Sequence, residues 1–170
     1  MTFKVRRIVT GHDDSGLAII KQDEVLVSES RRPGYDALVA WCTSEFPVNN
    51  NEDAYRGGEP GSKGSRILFR IGEMTPGDHT PVMHRTETLD YAIIISGEME
   101  LHLDGGEVET LKSGDIVIQR GTNHAWKAVG AAPVKVIFIL IDAEPASVNG
   151  TLLGNYLDNF GGKISPMPGG

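Results

Sequence analysis

The segment Gly97-Glu98-Met99-Glu100-Leu101-His102-Leu103-Asp104-Gly105-Gly106 decides the fold class. From Met99 to Leu103 apolar and polar residues alternate, the period of a half-buried strand, and Asp104-Gly105-Gly106 ends the run as a hairpin turn. Working upstream, residues 88–96 form an Ile-rich strand that stops at Gly97, and residues 65–71 form another that stops at Gly72. The turn Met74-Thr75-Pro76-Gly77-Asp78 follows the latter. Downstream, strands are expected at 108–111, 116–119, 124–129 and 134–141, with Lys112-Ser113-Gly114-Asp115 and Arg120-Gly121-Thr122-Asn123 as two of the loops between them. Short strands at close spacing with tight turns and no sustained 3.6-residue period make the chain all-β, a sandwich or small barrel.

The first third is less regular. Residues 5–9 and 17–20 read as paired strands around the turn His12-Asp13-Asp14-Ser15-Gly16. Residues 37–46 read as a strand with Val39, Trp41 and Thr43 on one face, or as a short helix with Leu38, Cys42 and Phe46 together; the strand is preferred. Residues 49–63, rich in Asn, Glu, Gly and Pro, are expected to form an exposed loop, and the tail after Asp142 has little to pack against and is expected to be mobile at its end.

The 170 residues, 39% of them apolar, suit one domain with its own core. The 21 glycines and 9 prolines make about 18% of the chain against roughly 12% in average usage, which favours turns over long helices. A net charge of −7 is a poor match to a phosphate backbone or an anionic membrane surface, so nucleic-acid and membrane partners are not expected. The single cysteine, Cys42, cannot form an internal disulfide and reads as a small buried apolar residue. With no apolar run of about 20 residues and no signal-like start, a cytoplasmic location is expected.

Four of the five histidines, His79, His84, His102 and His124, fall in the strand-rich segment. Strand parity places Asp90 with Ala92 and Ile94, Glu100 with His102, and His124 with Trp126. If those faces point inward, the interior holds His84, Asp90, Glu100, His102 and His124 beside Trp126. Burying several ionisable groups is costly unless they pair, hydrogen-bond or bind a metal, so such an interior reads as a site. The opposite face of the Glu100 strand, carrying Met99, Leu101 and Leu103, is the alternative for burial. His79 and His12 lie in turns and read as surface residues; Asp90 alternatively caps loop amides or pairs with Arg85.

Pro76-Gly77, His84-Arg85-Thr86, Asp90-Tyr91 and Gly97, followed by Gly114-Asp115 and Gly121-Thr122-Asn123-His124, resemble the two motifs of the cupin superfamily, G-x5-H-x-H-x3,4-E-x6-G and G-x5-P-x-G-x2-H-x3-N. The resemblance is most particular to small single-domain cupins, a group that also shares the opening Val9-Thr10-Gly11-His12-Asp13. It implies a jelly-roll barrel (a double-stranded β-helix) over residues 65–142. Residues 1–64 then pack on it as a non-independent β extension, adding strands or covering the mouth, and residues 143–170 form a C-terminal extension. It also implies a homodimer, and a divalent metal held by three histidines and a glutamate. His84 and His124 match the first and last histidines, Asp90 stands in place of the glutamate, and Thr86 stands where the second histidine belongs. The set carried over is therefore His84, Asp90 and His124, of a composition that suits Zn²⁺ or non-haem Fe²⁺, with a metal-free barrel as the alternative. Glu100 and His102 are the expected acid–base pair, and Trp126 and Met83 the expected substrate contacts. The activity this implies is a metal-assisted lyase, eliminating water or decarboxylating a small oxygenated aromatic or polyketide-like metabolite. An iron dioxygenase and a non-catalytic binding barrel are the alternatives.

Overall fold

The computed structural model describes residues 2–43, 45–50 and 67–157, and the chain there forms strands and no helix. They are β1 (Lys4–His12), β2 (Ala18–Val27), β3 (Glu29–Arg32), β4 (Tyr35–Thr43), β5 (Ile67–Met74), β6 (His84–Arg85), β7 (Thr88–Ser96), β8 (Glu98–Leu103), β9 (Val108–Lys112), β10 (Ile116–Arg120), β11 (His124–Val129), β12 (Val134–Asp142), β13 (Ser147–Val148), β14 (Thr151–Leu152) and β15 (Tyr156–Leu157). From β5 to β12 the boundaries fall where turn residues interrupt the apolar runs. At Gly97 the backbone takes φ of 81°, and a Cβ there would lie 2.8 Å from the Pro133 carbonyl oxygen, so the β7–β8 turn requires glycine.

Two antiparallel sheets build the barrel: six strands in the order β10-β7-β12-β5-β4-β3, and five in the order β15-β6-β11-β8-β9. Their inner faces meet in a core of Ile94, Met99, Trp126, Val134, Val136 and Phe138 among others. Along β12 the residues Val134, Val136, Phe138 and Leu140 are buried and those between them are not, which is the strict period 2 of a sheet with one dry face. The all-β jelly-roll architecture expected from the sequence is the one formed.

The first third of the chain divides its work. β3 and β4 extend the six-stranded sheet, while the β1–β2 hairpin lies over that sheet's outer face, packing Phe3 against Leu38, Ala40 and Ile71. Residues 37–43 belong to a strand, as preferred, but the expected sharing of one face by Val39 and Trp41 is wrong. A bulge between them shifts the register, so Val39 and Cys42 join the main core while Trp41 turns toward the Arg7 guanidinium, 5.7 Å from its ring. The expectation that the tail has little to pack against is corrected as far as residue 157. β15 adds to the edge of β6, and the Asn155 side-chain oxygen accepts a hydrogen bond from the Glu87 amide at 3.0 Å. The remainder of the expected mobile tail, 158–170, and the expected loop beyond residue 50 lie outside the described residues. Among those described, no helix is long and apolar enough to cross a membrane.

Candidate functional site

The register of β6 and β11 sets His84 directly opposite His124. The two rings stand 4.3 Å apart between centroids, tilted by 46°, and His124 meets Trp126 edge-on at 5.5 Å. His124 is 2% exposed. Trp126 in turn packs on Phe138 at 5.7 Å, so the pair belongs to the inner face of the five-stranded sheet. From the facing sheet, Asp90 on β7 lies in a row with Leu140 of β12 and Gln119 of β10, and it is 7% exposed. The sequence parity that set Asp90 with Ala92 and Ile94 therefore places it inside.

Each imidazole is held at Nδ1, but in opposite senses. His84 Nδ1–H donates to the Val82 carbonyl at 2.9 Å, which leaves its Nε2 a bare lone pair. The Gln119 amide nitrogen donates to the Thr122 carbonyl at 2.7 Å and to His124 Nδ1 at 2.6 Å, while its oxygen accepts from the Thr122 hydroxyl at 2.8 Å. His124 Nδ1 also lies 3.0 Å from the Thr122 carbonyl, but the amide nitrogen at the shorter distance can only donate, so Nδ1 is assigned as the acceptor and Nε2 as the nitrogen that carries the proton. One ring offers an acceptor and its neighbour a donor. Burial, then the charge of the adjacent His84, pushes His124 down to about 4. Burial also lowers His84, with Arg32 and Arg70 acting in the same direction. Burial pushes Asp90 up to about 6 against the opposing effects of the Thr88 hydroxyl and Arg70, and its Oδ1 has no hydrogen-bond partner.

Glu100 and His102 do not join this set, which corrects the expectation that they face the cavity. His102 Nε2 donates to Glu100 Oε2 at 2.9 Å, but both side chains share a face with Ala125 and Lys127. The opposite face of β8 carries Met99, 0% exposed, and Leu101, which pack into the core beside Trp126 and Ala128. Period 2 separates two faces without saying which is dry, and here the apolar one is. Arg85 faces Asp104 at 3.9 Å, and the pairing with Asp90 considered from the sequence is not formed. Met83 is half-buried next to His84. A cavity of about 410 Å³ opens between the β3–β4 turn, the β5–β6 loop and β11, with Arg32, Tyr35, Met74, His79 and Trp126 in its wall. Trp126 thus touches both this cavity and His124. His79 is exposed, as expected, yet belongs to the cavity rim, where it lies over Gly34, a position with φ of 73° that has no room for a Cβ.

Two interior residues escaped the sequence reading. Arg70 shares the inner parity of Leu68 and Met74 on β5, whereas Phe69 and Ile71 face outward. A polar residue in register with core positions was the available signal, as it was for Gln119, which shares the parity of Val117. The expected metal set fares differently. Among the described residues no three His, Cys, Asp or Glu side chains are placed to hold a metal ion. The donors as they stand do not fit a metal, and no chemical step is derived through one.

Residues 70–140 match the model of the family described as cupin domain. The chain is 34% identical over 159 residues to Phomopsin biosynthesis cluster protein C' of Diaporthe leptostromiformis, covering 87% of this chain and 84% of that protein. It is 32% identical over 166 residues to the cupin-domain-containing oxidoreductase fogC of Aspergillus ruber, covering 91% of this chain and 80% of that protein. Among solved structures it is similar to the Schizosaccharomyces pombe Cnp3 cupin domain, at 13% identity with a TM-score of 0.49, covering 82% of this chain and 89% of that one.

Proposed function

The chain belongs to the cupin superfamily, and on that premise we propose that its barrel is the reaction chamber of a small-molecule enzyme that moves protons next to a carbonyl group. The observation that carries this reading is the buried imidazole pair with one bare nitrogen and one N–H. His84 Nε2 is the base that takes the proton from carbon. The His124 Nε2–H holds the carbonyl oxygen as charge develops on it; a neutral imidazole serves here because its N–H is fixed by Gln119. Asp90 is matched to general acid work, since a carboxyl brought to about 6 exchanges protons readily near neutrality. For a β-hydroxy ketone the carbon–hydrogen bond breaks toward His84, the carbon–oxygen bond breaks, and the leaving hydroxyl takes a proton from Asp90 to depart as water. The reaction is then a dehydration, with no net change of oxidation state.

Relatives from biosynthetic clusters support a small-molecule substrate, and the Aspergillus ruber relative, named an oxidoreductase, favours a second reading in which the same chamber serves an oxidation. One experiment separates them. 4-Hydroxy-4-phenylbutan-2-one in D₂O is followed by NMR, with oxygen uptake recorded in parallel and with added Fe²⁺. Deuterium entering the carbon beside the carbonyl, with loss of water and an at least about hundredfold slower reaction in His84→Gln, supports proton transfer. Iron-dependent oxygen uptake with no deuterium exchange overturns it in favour of oxidation.

A further inference from the structure

The outer face of the six-stranded sheet is apolar well beyond the part that the N-terminal hairpin covers. Burial alternates along β12, but residue type does not: Val136-Ile137-Phe138-Ile139-Leu140-Ile141 is an unbroken apolar run. Such runs belong to strands covered on both sides, since an antiparallel strand with one wet face carries polar residues on it. The register carries the pattern across the sheet. Ile116 of β10 lies beside Ile93 of β7, Ile93 beside Ile137 of β12, and Ile137 beside Ile71 of β5. One pleat along, Ile118, Tyr91, Ile139 and Phe69 form a second outward row. The hairpin answers the β4 and β5 end of these rows, where Phe3, Val5 and Leu26 pack with Leu38, Ala40 and Ile71. At the β10 end, Ile116 is 63% exposed and Ile118 is 53% exposed.

We propose that the open half of this face, formed by β10, β7 and β12, is where a second copy of the chain packs, sheet against sheet about a two-fold axis. The chemistry of the face selects that occupant. Among the described residues, charge stands only at its margins, with Arg120 at the end of β10 and Lys135 at the start of β12, and Lys135 is already paired with Glu73 at 3.5 Å. No carboxylate occupies an outward position on these three strands, although the chain has 23 Asp and Glu. A two-fold interface sets a patch against itself, so in a chain of net charge −7 it requires a patch free of repelling charge. Strand spacing and rise make the patch about 300 Å² in projection, the scale of the apolar centre of an interface in which each partner buries about 800 Å². The chain's own remaining segments do not suit the face. Residues 51–66, between β4 and β5, offer only Ala54 and Tyr55 as apolar residues, and residues 158–170 follow β15, which belongs to the other sheet. Leu89 and Tyr91 flank Asp90 on β7, so the second copy backs the strand that carries the buried carboxyl. The proposal is independent of the reaction assigned to the interior.

The test is the mass of the whole chain in solution. Sedimentation velocity at concentrations from about 1 to 100 µM should give twice the chain mass. Ile116→Glu and Ile118→Glu each replace a side chain already exposed in the single chain, so the barrel should stay folded by circular dichroism. Across a two-fold axis each substitution buries two unpaired carboxylates, and each should weaken the dimer at least about hundredfold. Val108→Glu, at a position 51% exposed on the five-stranded sheet, is the control and should leave the dimer intact. A single-chain mass at every concentration overturns the proposal, and retention of that monomer on neutral phosphatidylcholine vesicles would assign the face to lipid instead. A dimer that survives Ile116→Glu and Ile118→Glu together, or that Val108→Glu also dissociates, overturns it equally by placing the interface on another face.

Discussion

At the residue scale, Asp90 and His124 are displaced in opposite directions and should leave opposite marks on stability. The Asp90 carboxyl, raised from 3.8 to about 6 on folding, lets the folded state hold an extra proton between those values, so stability falls as pH rises through that window. His124, lowered from 6.5 to about 4, makes the unfolded state the better proton binder, so stability rises as pH climbs from about 4 to 6.5. In the intact protein the falling slope from Asp90 is opposed by His124 and also by His84, which burial lowers too. In Asp90→Asn, urea unfolding should show stability rising by about 2–3 kcal/mol from pH 4 to 6.5. Replacing both rings, His84→Gln with His124→Gln, should instead show stability falling from pH 4 to 6. A flat profile in both variants contradicts the buried placement of these groups. A second expectation concerns Gln119. Once Gln119→Leu removes the donor at His124 Nδ1, that nitrogen is free to donate to the Thr122 carbonyl 3.0 Å away, and the ring proton should move from Nε2 to Nδ1. Imidazole ¹⁵N shifts read the tautomer directly, and the same tautomer in both proteins removes the orienting role of Gln119.

At the scale of the element, turn chemistry was the legible part of the sequence. Gly97, Asp104-Gly105-Gly106 and Gly114 ended strands where the chain in fact turns, and β7 and β11 have the expected bounds. What alternation could not tell was the side of the sheet. On β8 either Glu100 and His102 or Met99 and Leu101 could face inward, and the choice depends on Trp126 and Ala128 of a strand more than twenty residues away. Arg70 was hidden by the same ambiguity, and the face of Trp41 by a bulge that no local pattern announces. Two tests belong here. Glu100→Gln, on the outer face, should leave deuterium exchange within about twofold of the original, in the range of surface substitutions; loss of exchange contradicts the assigned face. Gly97→Ala forces a side chain onto a left-handed backbone and against the Val134 Cα at 2.9 Å, and should cost about 3 kcal/mol in urea unfolding. A cost under about 0.5 kcal/mol would mean that the β7–β8 turn has another conformation.

Across the whole molecule, the N-terminal hairpin closes one half of the outer face of the six-stranded sheet while the barrel keeps its polar groups inside. Phe3 is the hairpin's anchor, 8% exposed among Leu38, Ala40 and Ile71 and beneath the Lys135 ammonium at 4.9 Å. Phe3→Ala should destabilise the fold by about 3 kcal/mol, and no change in unfolding would detach the hairpin from the barrel. Such distant pairings, like those that bring β6 to β11 and β15 to β6, have no signature in a single sequence because they join segments only through the closed sheet. Everything functional rests on the result of that closure, two imidazoles side by side in a dry interior. The most direct test is a ¹H–¹⁵N NMR titration of the histidine rings. The account predicts that His84 and His124 both titrate below the ordinary imidazole value, His124 only near 4, and that replacing His84 raises His124. Independent titration of both rings near 6.5 would contradict it.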